Sequence, residues 1–188
     1  MKIALFGTSA DPPTLAHQTI LHWLSISFPL VAVWAADNPD KVHEATLGQR
    51  ARMLELLVAD LNHDQVRVYQ ELSHRYTYKT LNFAQQLWPT AEFSLVIGGD
   101  LVNQIDRWQG GMELIRQVEL LVVPRPGWSI TPESLRNLTD IGGRVQVVTN
   151  LCTPAVSSTA IRRHIDRQGL TPTVEEYIDR LQLYPLQN

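Results

Sequence analysis

The chain has 188 residues, 16 basic and 19 acidic side chains for a formal net charge of −3, and 44% hydrophobic residues. That is ample for one buried core and too apolar for disorder, and the slightly acidic balance argues against a broad nucleic-acid surface while leaving a local anion pocket open. A lone cysteine, Cys152, excludes an intrachain disulfide and a cysteine-based zinc site, and no apolar run approaches the roughly 18–20 residues of a membrane span. The apolar start Ile3–Phe6 is too short for the core of an export signal, so a cytoplasmic location is expected.

In chain order, Ile3–Phe6 reads as a buried strand ended by Gly7, and Ala16 to about Ser27 as a helix closed by Pro29. Leu30–Ala36 is a second continuous apolar strand. Leu47–Leu61 places Leu47, Ala51, Leu54, Leu57, Val58 and Leu61 on one helical face. Val66–Tyr69 alternates like a strand, Thr77–Trp88 has helical character, and Phe93–Ile97 is another buried strand cut by Gly98-Gly99-Asp100. Glu119–Val123 and Arg144–Val148 are later strands; Ser158–Arg167 and Val174–Leu183 are closing helices. Strands that are apolar throughout, alternating with helices, predict an α/β fold: a doubly wound, Rossmann-like parallel sheet with helices on both faces. One domain over residues 1–188 is expected, with a small C-terminal helical extension from about residue 157. Ligands of such sheets bind beyond the carboxyl ends of the strands, where the strand order reverses. The loops after Phe6, Ala36, Ile97 and Val123 are therefore the places to search.

The first of these loops is Gly7-Thr8-Ser9-Ala10-Asp11-Pro12-Pro13-Thr14-Leu15-Ala16-His17. Gly7 permits close backbone approach, the prolines stiffen the loop, Thr14 can cap the helix, and His17 lies in its first turn. Amides and an imidazole at the strand ends suit a phosphate, although a capped helix with a surface histidine has the same appearance. Near the other end, Val156-Ser157-Ser158-Thr159-Ala160-Ile161-Arg162-Arg163 sets hydroxyls, helix-start amides and the Arg162 guanidinium together, which is an anion receptor or an ordinary capped helix.

Both segments resemble motifs of the nucleotidylyltransferase superfamily. The first resembles G-G-T-F-D-P-x-H-x-G-H, with Gly7, Asp11, Pro12 and His17 in register and Thr14 at the alternative His/Thr position. The second resembles I-S-S-T-x-I-R almost residue for residue. Ala10 and Ala16 depart from the pattern, standing where an aromatic and a glycine are usual. Gly98-Gly99-Asp100 with Trp108, Arg75-Tyr76-Thr77 (Arg75 replacing a serine), the Asn38-Pro39-Asp40-Lys41 loop and Arg125-Pro126-Gly127 are similar to segments of the nicotinate-nucleotide adenylyltransferases. Taken as residues alone, Trp108 fits packing, Tyr76 and Thr77 a helix start, Asp100 a loop cap and Lys41 a solvated lysine.

The resemblance implies transfer of the adenylyl group of ATP to nicotinate mononucleotide, giving nicotinate adenine dinucleotide and pyrophosphate in NAD biosynthesis. It implies that His17, Thr14 and Arg162 carry the chemistry and that Gly7, Thr8, His17, Gly98, Asp100, Ser157, Ser158, Thr159 and Arg162 bind ATP. Asp11, Lys41, Tyr76, Thr77, Trp108 and Gln109 would receive the mononucleotide, and His43 is a candidate phosphate contact. Mg²⁺ would arrive with ATP, and no dedicated protein metal site is expected. The expected partners are the two small substrates, without nucleic acid or membrane; a homo-oligomer is left open. Alternatives are an adenylyltransferase for nicotinamide mononucleotide or phosphopantetheine, or a nucleotide-binding homologue with weakened catalysis. His74, His164 and Cys152 receive no role.

Overall fold

A computed structural model of the chain describes residues 1–38, 41–163 and 167–185. Six parallel strands, β1 (Lys2–Thr8), β2 (Leu30–Ala35), β3 (Val66–Val68), β4 (Glu92–Gly98), β5 (Glu119–Val123) and β6 (Arg144–Val147), form one sheet in the order β3-β2-β1-β4-β5-β6. The order reverses between β1 and β4, so the crevice at their carboxyl ends is the topological switch point. Among the described residues, seven α-helices flank the sheet: α1 (Leu15–Ser27), α2 (Leu47–Leu61), α3 (Thr77–Leu87), α4 (Gly111–Gln117), α5 (Pro132–Asp140), α6 (Ser158–Arg162) and α7 (Pro172–Arg180).

Two cores follow from the period-two alternation of the strands. Ala4, Phe6, Val31, Val33 and Ala35 face one side, where α1, α2, α6 and α7 contribute Leu21, Leu24, Met53, Leu54, Leu57, Ile161, Val174 and Ile178. Ile3, Leu5, Ala32 and Trp34 face the other, against Leu81 and Ala84 of α3, Leu114 and Ile115 of α4 and Leu138 of α5. The C-terminal helices thus belong to a main layer of the fold. α7 is also tied to α2 by a hydrogen bond from Thr173 Oγ1 to the Asp60 carboxylate.

Differences from the expected elements are local. β3 stops at Val68 because Tyr69 leads into a 3-10 turn at Gln70–Leu72. α7 begins at Pro172, the favoured first helical position for proline, behind Thr171. α6 is described as far as Arg162; His164 and the middle of its expected extension lie outside the described residues, as do Pro39 and Asp40. α4 and α5 were not expected. Among the described residues no helix is long and apolar enough to cross a membrane.

Gly7 is required by space. It pairs with Trp34 across β1 and β2, and a Cβ there would lie 2.8 Å from the Trp34 ring carbons Cε2 and Cζ2. Trp34 is 3% exposed and has no room to yield. Gly7→Ala should therefore lower unfolding stability by about 1–3 kcal/mol in urea titrations; an unchanged midpoint would show that the tryptophan moves freely.

Candidate active site

The loop leaving β1 is built around two inward-facing side chains. Ala10 takes a left-handed φ of 49°, a conformation costing a non-glycine residue roughly 1–2 kcal/mol, and the chain then buries Asp11 and Thr14 at 2% and 1% exposure. Thr14 is the N-cap of α1, and its backbone N–H donates to Nδ1 of His17 at 3.1 Å, with its hydroxyl 2.9 Å from the same nitrogen. A backbone N–H can only donate, so Nδ1 is the unprotonated nitrogen and the His17 proton sits on Nε2. Burial first, and the Arg125 guanidinium second, lower the His17 pKa from 6.5 to about 4. At neutral pH His17 is a neutral imidazole presenting an Nε2–H donor.

Asp11 is the junction of the site. Its carboxylate accepts from Glu44 N at 3.0 Å, Ala45 N at 3.2 Å and the Tyr184 hydroxyl at 2.8 Å. Arg162 Nη1 donates to the Asp11 carbonyl at 2.6 Å and stands 4.0 Å from its carboxylate, while Arg162 Nε donates to Glu44 Oε1 at 3.0 Å. Ser158 Oγ donates to Pro12 O at 2.7 Å, and Gly169 O accepts from Leu15 N at 2.8 Å. The two motifs are thus in direct contact. Ser157 caps α6 by accepting from Ala160 N at 3.1 Å, and Thr159 is exposed beside it.

Across the switch point, Gly98 ends β4. A Cβ on it would overlap Asp100 Oδ1 and approach Arg125 Cδ to 2.9 Å, so its missing side chain lets Asp100 fold back over the strand end. Asp100 Oδ2 pairs with Arg125 Nη1 at 3.0 Å, while Asp100 Oδ1 is buried without a hydrogen-bond partner.

A third group is aromatic. Tyr76 caps α3 and Thr77 begins it. The rings of Tyr76 and Tyr78 stack at 6.2 Å, and His74 lies 6.0 Å from Tyr76. The Tyr78 ring occupies the space where Gly110, at φ 71°, lacks a Cβ, which brings the start of α3 against the turn carrying half-buried Trp108 and exposed Gln109. Lys41 is exposed in the connection between β2 and α2. His43, close by, has a buried Nε2 with no partner; burial first, then Arg50, lower its pKa.

Three further residues, Arg125, Arg50 and Tyr184, join the site through tertiary contacts. Arg125 follows β5 at the strand ends and acts electrostatically on His17; its position after an apolar strand was the available signal. Arg50, 3% exposed, donates to Ser9 O at 2.7 Å and Ala36 O at 2.9 Å, tying together the loops after β1 and β2. Tyr184 carried no signal, since a tyrosine after the last helix is ordinary. One expected contact is relocated: the Asp11 carboxylate points into the protein and braces the loop, and does not face open space. The groups gathered around the switch point are an imidazole N–H, two guanidiniums and a carboxylate oxygen without a hydrogen-bond partner, a set suited to aligning a polyanion bearing hydroxyl groups.

The chain matches the cytidylyltransferase-like family over residues 5–164. It is 44% identical to a probable nicotinate-nucleotide adenylyltransferase of Synechocystis sp., covering 98% of this chain and 99% of that one. A probable enzyme of the same name from Shouchella clausii is 28% identical, covering 97% of this chain and 96% of its relative. In structure the chain resembles Plasmodium falciparum nicotinic acid mononucleotide adenylyltransferase complexed with NaAD, with a TM-score of 0.82 over 99% of this chain and 98% of that one at 19% identity, which is a likeness of fold. The chain belongs to the cytidylyltransferase-like family and, within it, to the nicotinate-nucleotide adenylyltransferases.

Proposed function

We propose that the protein transfers the adenylyl group of ATP to nicotinate mononucleotide, forming nicotinate adenine dinucleotide and pyrophosphate, as a cytoplasmic enzyme of NAD biosynthesis. The observation that carries the mechanism is the tautomer of His17, fixed by the Thr14 N–H, which leaves one neutral donor within electrostatic reach of Arg125 at the switch point. The attacking mononucleotide phosphate is already an anion at neutral pH, its second pKa lying near 6, so no strong base is needed. The protein must align two polyanions and donate to charge that develops on the α-phosphate.

In this reading the Nε2–H of His17 hydrogen-bonds an α-phosphate oxygen in the transition state, and Thr14 holds the ring that delivers it. Ser157, Ser158, Thr159 and Arg162 receive the β- and γ-phosphates and the leaving pyrophosphate, with Gly7 and Thr8 beneath the nucleotide. The unpartnered Asp100 Oδ1 is an acceptor suited to a ribose hydroxyl, and Arg125 adds a cation next to it. Trp108 offers its ring to the pyridine, Tyr76, Thr77 and Gln109 border the nicotinate carboxylate, and Lys41 and His43 approach the mononucleotide phosphate. Magnesium enters as part of the ATP substrate, held by phosphate oxygens and water; among the described residues no three His, Cys, Asp or Glu side chains converge to hold a metal ion.

With Mg-ATP and each of nicotinate mononucleotide, nicotinamide mononucleotide and phosphopantetheine, pyrophosphate release should be fastest on the first. Faster turnover on either of the others would overturn the substrate assignment. His17→Ala should lower kcat about 10²–10³-fold with the fold intact, as expected for loss of one transition-state donor; near-normal turnover would remove His17 from the mechanism. Trp108→Ala should raise the mononucleotide KM about 5–10-fold with little effect on the ATP KM. A change in thermal stability alone would make Trp108 a packing residue.

A pH dependence also follows from His17. The unfolded chain takes up this proton near pH 6.5 and the folded protein only near 4, so the folded state loses stability as pH falls from 6.5 toward 4, and this group contributes no pH dependence above that window. Urea unfolding should show wild type losing about 1–2 kcal/mol more than His17→Gln between pH 7.5 and 5. Equal losses would show that the ring is freely hydrated.

A further inference from the structure

We infer that Tyr184 is a positioning residue of the transfer reaction: its hydroxyl, bound to the Asp11 carboxylate, keeps Arg162 and the loop after β1 in the arrangement that binds the ATP phosphates. This rests on the proposed reaction and deepens it, because it makes the segment after α7 part of the nucleotide site.

Asp11 Oδ1 has two donors, Tyr184 Oη at 2.8 Å and Ala45 N at 3.2 Å, and the shorter comes from the tyrosine. Asp11 Oδ2 has Glu44 N at 3.0 Å, with Arg162 Nη1 at 4.0 Å, beyond hydrogen-bond reach. With its oxygens met by neutral donors, the carboxylate leaves Arg162 bound to the Asp11 carbonyl and to Glu44 at the edge of the site. Removing the tyrosine hydroxyl leaves Oδ1 with one long bond inside a poorly screened interior. Arg50 also acts on this carboxylate but is held by the carbonyls of Ser9 and Ala36, whereas the Arg162 guanidinium stands 4.0 Å from it at the edge of the site. Attraction there is stronger than at the surface, so the guanidinium is drawn inward and away from the phosphates.

The tail is shaped for this contact. After α7 the chain turns back through Gln182 and Tyr184, at φ 50° and 57°, a region that side-chain-bearing residues rarely occupy and that persists where surrounding structure holds it. The Tyr184 ring is 4% exposed in the same core as α1, α2 and α7, while its hydroxyl meets only Asp11 among the described residues. Burial first, and the Asp11 charge second, raise the Tyr184 pKa far above its ordinary value, so the hydroxyl stays a donor throughout the working pH range. The ring and the hydroxyl therefore do separable work: one fills the core and the other faces the loop.

Phenylalanine separates the two, since it keeps the ring and removes the donor. Tyr184→Phe should raise the ATP KM about 5–10-fold, leave the mononucleotide KM within about twofold, and retain the wild-type circular dichroism spectrum. In an Asp11→Asn background, where no full charge pulls on Arg162, adding Tyr184→Phe should change the ATP KM by less than about twofold, the mark of coupled neighbours. An unchanged ATP KM, or a parallel rise in both KM values with a lowered Tm, would show a purely structural tyrosine and overturn the inference. If wild-type protein turns over none of the three acceptors, the reaction itself is misassigned. Calorimetric binding of Mg-ATP to wild type and Tyr184→Phe then decides the positioning role on its own: a loss of about 5–10-fold supports it and equal affinity ends it.

Discussion

A buried carboxylate must be met by donors, and the site is organised around one. Asp11 is 2% exposed, and the groups that satisfy it come from the β2–α2 connection and from the tail after α7, while Arg162 of α6 grips its carbonyl. A hydrogen bond to a charged group contributes about 1.5–3 kcal/mol net, and leaving such a group without partners costs more. The requirement therefore fixes where four segments meet and, with them, where Ser158 and Arg162 stand relative to His17. The loop conformation at Ala10 persists because this network over-determines it.

The parallel sheet does the rest of the positioning. Its strand order opens a crevice between β1 and β4; His17, in the first turn of α1, stands on the β1 side, and the Asp100–Arg125 pair comes from the segments after β4 and β5. Arg125 acts twice there. It neutralises one oxygen of Asp100, and its charge helps to keep His17 unprotonated. A neutral imidazole donates one hydrogen bond without becoming a trap for a tightly held anion, which suits a site that must release pyrophosphate. The net charge of −3 is no obstacle, because a few cations and amides at one sheet edge dominate the local field.

Much of this was legible in the sequence because doubly buried parallel strands leave unbroken apolar runs, and because Thr14, His17, Ser157 and Ser158 stand in recognisable order at helix starts, with Arg162 one turn further on. Helix α2 was expected with its observed ends because its apolar face runs the whole length; in the structure Thr46 and Gln49 cap its start. The short helices were not. α4 has seven residues and starts from left-handed Gly110, too little chain to show a period. α5 did carry a local signal, Thr131-Pro132 followed by Ser134 in a capping arrangement, inside a segment otherwise polar. Arg125 and Tyr184 act through tertiary contacts with residues 25 and 173 positions away, and no local pattern announces a partner at that distance.

The bond between Asp11 and Tyr184 joins residues 173 positions apart. Segments so far apart meet only after the intervening chain has closed a long loop. During synthesis the β1–α1 loop waits for this donor until the chain has been made as far as residue 184. A chain that stops short of Tyr184 holds all six strands and still lacks the finished junction, so the site is completed well after the sheet.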